Sequence, residues 1–135
     1  MSCKSAIYTV ATNVDVAANG QIPFGSVIRR FGPNLSLSGF DIVACGQGYY
    51  GVDCSVTLEP VGAGPIGVQL YADGLPVSGA MAQAQGTAAT PLNLSVTGLV
   101  RQRCQGATSL SMELVSGDAT TGATVTNMAT KVTKE

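Results

Sequence analysis

The sequence contains neither histidine nor tryptophan. Without histidine there is no Ser-His-Asp triad, no Cys-His dyad, no His-Glu-x-x-His zinc site and no imidazole acid or base. Charge is scarce as well: 11% of residues are Asp, Glu, Lys or Arg, against about 25% in an average soluble domain. Seven bases and eight acids leave a net charge of −1, so the basic footprint of a nucleic-acid binder is missing and no nucleic-acid partner is expected. The acids are scattered. They leave open only an enzyme working with carboxylates alone, and the expectation is no enzyme, no cofactor and no metal. No apolar run approaches the roughly 20 residues of a membrane span, so no membrane insertion is expected. Thr and Asn interrupt the first twenty residues every few positions, and no signal-peptide core is visible. Synthesis in the cytoplasm is expected, with exit by lysis or as part of a particle.

What is present points to strands. Seventeen glycines accompany abundant Thr, Val and Ser, while helix-favouring Lys and Glu are few. The 135 residues suffice for one domain, read here as spanning 1–135. So little surface charge fits a chain partly covered by copies of itself. The four cysteines, Cys3, Cys45, Cys54 and Cys104, form no Cys-x-x-Cys pair. They are expected to be free thiols acting as small hydrophobes, with a disulfide or a metal site as the alternatives.

Period-2 alternation recurs along the chain. Strands are expected over 6–12, 26–31, 35–38, 40–45, 49–58, 66–72, 75–81, 92–97 and 123–132, with a further inward set at Leu110, Met112 and Leu114. The clearest is 49–58, where Tyr50, Val52, Cys54, Val56 and Leu58 share one face and Tyr49, Gly51, Asp53, Ser55 and Thr57 the other. Asp73-Gly74 reads as a two-residue hairpin turn, because both positions favour positive φ. Pro76 cannot donate to a ladder, which marks the return strand as an edge or a strand start. Residues 13–25, 59–65 and 82–90 read as loose or looped, and 98–106 has no clear placement. Eight to ten short strands with turns every 8–12 residues make an all-β sandwich or jelly roll.

Three stretches, in order, resemble one superfamily. Gly48-Tyr49-Tyr50-Gly51-Val52 is similar to the Gly-x-Tyr strand of tumour necrosis factor and complement-type heads. Leu70-Tyr71-Ala72-Asp73-Gly74-Leu75-Pro76-Val77-Ser78-Gly79 resembles a hairpin of the bacterial members, among them spore-surface heads and small phage or prophage proteins. Ala123-Thr124-Val125-Thr126-Asn127-Met128-Ala129 resembles their closing strand. The resemblance spans about residues 6–133. It implies a ten-stranded jelly roll that forms a homotrimer. Unlike the spore heads, the chain carries no collagen-like stalk, so a stand-alone head is expected.

The resemblance also sets the functional expectation. This is a non-enzymatic virion component made in a bacterial cytoplasm, such as a phage capsid decoration or head-fibre protein, docked on a capsid or other virion protein. The alternative is a receptor- or glycan-binding tip on a phage, bacterial or spore surface. Tyr50 occupies the family's aromatic position and, with Val52 and Tyr49, is the candidate trimer interface; the other reading makes Tyr50 core. Arg29, Arg30, Arg101 and Arg103, all four arginines, form two basic pairs fit to dock on a capsid protein, an acidic glycan or phosphate. Solvated turns or interface salt bridges are the plain alternative. Asp41, Asp53 and Asp73 match no calcium loop, and Asp53 faces outward, available to an arginine.

Overall fold

The alternation that separates Tyr50, Val52, Cys54, Val56 and Leu58 from their neighbours is realised in full. All five side chains are buried, and the intervening residues face away. The same split in other strands yields two apolar faces, and these close on each other as the layers of a sandwich. The computed structural model describes residues 5–102, 106–116 and 122–135.

Among the described residues the strands are β1 (Ala6–Val16), β2 (Gln21–Ile22), β3 (Ser26–Phe31), β4 (Leu35–Ser38), β5 (Asp41–Cys45), β6 (Gly48–Pro60), β7 (Gly64–Ala72), β8 (Leu75–Gly86), β9 (Leu92–Gln102), β10 (Ala107–Ser116) and β11 (Ala123–Lys134). One sheet has the order β3-β1-β11-β6-β9 and the other β4-β5-β10-β7-β8, with β2 added beside β10. All pairings are antiparallel. The first and last strands are neighbours, and Lys134 N donates to Ser5 O at 2.9 Å. The accessible surface, 6789 Å², is close to the roughly 6600 Å² expected of a compact folded chain of this mass.

Eleven strands stand among the described residues where ten were expected, because β2 is a two-residue strand inside the 13–25 stretch read as loose. Two other expected loops are shorter than anticipated. β6 runs on to Pro60 and β7 starts at Gly64, while β8 continues through 82–86. In that last segment Ala82 and Ala84 pack toward the core from alternate positions, and small residues alone gave a weak apolar signal. Asp73 and Gly74 do adopt positive φ, 51° and 81°, and Asp73 Oδ1 accepts from Ser109 N at 3.0 Å. β8 ends its sheet, as Pro76 requires.

The two sheets touch closely where glycine permits it. A Cβ on Gly98 of β9 would lie 3.0 Å from the Ala80 Cβ and 3.3 Å from a Leu70 methyl, so β8 folds over the β9 edge. Opposite Leu70, residues 77–80 bulge out of the β7–β8 ladder. Gln69, 8% exposed, fills that gap, and its Nε2 lies within hydrogen-bond distance of the Leu70, Val77 and Ala80 carbonyls.

Candidate interaction face

The outer surface of the β3-β1-β11-β6-β9 sheet follows from register. Tyr8 of β1 pairs with Lys131 of β11, Lys131 with Asp53 of β6, and Asp53 with Thr97 of β9. These four form one outward row, because the inward set of β1 is Ile7, Thr9 and Ala11. The next row is small: Ala129, Ser55 and Ser95. The size step leaves an open depression of about 310 Å³ lined by Tyr8, Lys131, Asp53, Thr97 and the small residues. Nearer the pole where the chain ends meet, Tyr49 pairs with Arg101, whose guanidinium lies 5.6 Å from the centroid of the tyrosine ring. That is cation–π range.

Large apolar side chains are exposed mainly on this sheet. Among the described residues it carries Tyr8, Val27, Ile28, Phe31, Tyr49 and Leu99, six of the ten in that class. Phe31 and Leu99 are each 60% exposed. The opposite sheet presents Ser36, Ser109, Ser111, Glu113, Gln83 and Gln85 outward, with Met81 and Leu75 of β8 as its exposed large apolar side chains.

The proposed interface residues separate accordingly. Tyr49, 46% exposed, lies on the outer face. Tyr50 and Val52 do not: Tyr50 is 0% exposed and Val52 2%, and both point between the sheets. Side chains buried within one chain have no surface to offer a second. The aromatic position matched by resemblance sits one residue out of phase with the exposed set, and strand parity decides its side. Tyr50 instead locks a turn. Its Oη lies 2.8 Å from both the Cys45 and Gly46 carbonyl oxygens. Burial, and secondarily the Cys45 thiol nearby, pushes its phenol above the ordinary 10.0.

Arg29 and Arg30 lie on β3, the sheet edge. Arg30 Nε donates to Leu35 O, tying this edge to β4 of the other sheet. Arg101 is beside Tyr49, away from that edge. Arg103 lies outside the described residues, as do Cys3 and Cys104. Cys45 and Cys54 are free thiols, one exposed and one buried. Burial drives the Cys54 thiol up to about 11, partly offset by its hydrogen bond with Thr130. Asp41 accepts from Gln21 Nε2 and Asp73 from the Ser109 amide, while Asp53 neighbours Lys131 rather than an arginine. Among the described residues no three of His, Cys, Asp and Glu converge on a metal-sized site. Tyr8, Leu99, Phe31 and Lys131 were not singled out from sequence. The alternation Ile7-Tyr8-Thr9 holds the signal for Tyr8.

No protein-family model matches the chain, and no curated protein matches it in sequence. Solved structures do match. Murine APRIL superposes with a TM-score of 0.73 at 10% identity, over 98% of this chain and 99% of that one. The globular domain of zebrafish complement 1qA gives 0.67 at 11%, over 98% and 95%. The chain has the tumour necrosis factor-like jelly-roll fold. A further solved structure, the PRD1 vertex protein P5, gives 0.59 at 13%, over 100% and 99%. In the tumour necrosis factor-like sandwich described here, the apolar outer face and all described Lys and Arg residues belong to the same sheet.

Proposed function

We propose that the chain is a non-enzymatic structural protein that assembles as a homotrimer through the outer face of the β3-β1-β11-β6-β9 sheet. One observation carries the reading: among the described residues, six of the ten exposed large apolar side chains are on that sheet, against two, Leu75 and Met81, on the other. Exposed apolar side chains collected on one sheet are a mark of protein interfaces. Tyr49 and Leu99 are the anchors, with Tyr8 and the depression beside it giving the face relief into which a neighbouring copy packs. The trimer is a virion component, a capsid decoration or head-fibre protein docked on a larger shell. Its fold likeness to a vertex protein is the support for that setting.

Light scattering on the purified chain tests the assembly: the expected mass is three times 13.6 kDa. A monomer at micromolar concentration refutes it. Co-purification with a capsid or tail protein tests the setting, and glycan binding abolished by loop substitutions refutes it in favour of a recognition tip.

A further inference from the structure

We infer that β3 is a docking edge for an extended, carboxylate-rich segment of another protein, which adds to the sheet as a sixth strand. Among the described residues β3 ends its sheet and pairs with β1 alone. Every one of its six residues is exposed, although strands of a sandwich normally hide one face. Arg29 pairs with outward-facing Tyr8, and Arg30 with inward-facing Ile7, so the edge is cationic on both faces. Val27, Ile28 and Phe31 set apolar surface between the charges.

Charge selects the occupant. All described basic residues, Arg29, Arg30, Arg101, Lys131 and Lys134, are on this sheet, whereas the strands of the other carry Asp41 and Glu113 and no described base. A second copy offering its own β3 in a centred antiparallel register brings arginines within two positions of arginines, which disfavours edge-to-edge pairing. A strand bearing glutamate or aspartate meets attraction at the same positions. The arginines therefore repel the wrong partner and recruit the right one. Main-chain hydrogen bonds supply affinity, and alternate side chains supply selectivity. The register slip that leaves Ile28 unmatched against β1 twists the strand, so the added ladder is short and its affinity modest. Of the two longer edges, β8 carries no charged residue and is broken by the 77–80 bulge, and β9 is overlain by β8 at Gly98. The inference shares Val27, Ile28 and Phe31 with the apolar set of the trimer reading, but it needs the main-chain edge of β3 rather than the sheet face, so its failure leaves the trimer reading standing.

A fluorescent eight-residue peptide alternating glutamate with valine, titrated into the full chain, is the probe. Anisotropy is expected to show binding, and amide exchange at 26–31 is expected to slow. Arg29→Glu is expected to weaken binding roughly tenfold. Arg29→Gln, should the reversal disturb folding, is expected to weaken it about threefold. Replacing glutamate by lysine, or N-methylating alternate amides, is expected to abolish binding. A peptide that binds equally well when N-methylated overturns strand addition. Insensitivity to Arg29, equal binding of the lysine peptide, or no binding at millimolar peptide overturns the proposal outright.

Discussion

Tyr49 and Tyr50 are adjacent in sequence yet assigned opposite roles, so a crossed pair of substitutions separates core from interface. Tyr50→Phe removes one hydroxyl and no ring volume. Of the two carbonyls beside it, Cys45 O keeps a hydrogen bond from Asn34 Nδ2 at 2.7 Å, and the Gly46 carbonyl loses its side-chain donor. One lost buried hydrogen bond with one poorly satisfied carbonyl costs about 1–2 kcal/mol. In a chain of this length that lowers Tm by roughly 3–8 °C. Tyr49→Ala removes an exposed ring and its contact with Arg101, which changes subunit stability by no more than about 0.5 kcal/mol. It is expected to weaken self-association instead. Urea unfolding at low protein concentration measures the first effect, and sedimentation over a dilution series the second. If Tyr50→Phe dissociates the assembly while leaving subunit stability intact, or Tyr49→Ala destabilises the subunit while the assembly persists, the assignment by strand parity is wrong.

Raising pH tests the Cys54 environment. Its thiol is held protonated up to about 11, against 9.0 for the ordinary group, so the native state retains a proton that the unfolded chain releases. The associated stability is complete below pH 9 and is lost between pH 9 and 11, by roughly 3 kcal/mol. Cys54→Val is expected to flatten that part of the unfolding-versus-pH curve; an unchanged curve contradicts the burial argument. In native protein, Cys45 is expected to react with a thiol reagent promptly and Cys54 only on unfolding, and equal rates would contradict this. Gly67→Ala places a methyl group against the Ala82 carbonyl oxygen and the Gln83 Cα of the paired strand. A loss of about 2–3 kcal/mol is expected in denaturant titration. Gln69→Leu removes the donor facing the Leu70, Val77 and Ala80 carbonyls, with an expected loss of about 2–4 kcal/mol and faster amide exchange across 77–80.

The sandwich was legible where the period held. β6 keeps one parity over its length, and its inward set was named residue by residue. The Asp73-Gly74 turn was legible because the dipeptide's own φ preference made it so. What escaped reading was where the period broke. In β11, Thr130 and Met128 face inward, but so do Val125 and Ala123: the extra residue Thr126 shifts the register against β6 and bonds back to Thr57 O. Residues 98–102 extend β9, although Gly98 has no side chain with which to declare a face; its inward position follows from Ala80 lying across it. The interaction face was legible only in part. Tyr49 belongs to it, but Tyr8, Leu99 and Phe31 come from three strands far apart in sequence, and their place on one sheet exists only once the register is set.

β11 follows the other ten described strands in the chain, yet it lies between β1 and β6 in the middle of its sheet. A nascent chain therefore leaves the ribosome with a slot down the centre of its hydrophobic layer, and the layer cannot seal until residues 123–134 emerge. Until then the facing edges of β1 and β6 have no ladder partner, and such edges invite aggregation. Loss of residues 123–134 thus removes a keystone rather than a margin. Closure of the sheet must await residues 123–134, with long-range pairing setting a slow pace.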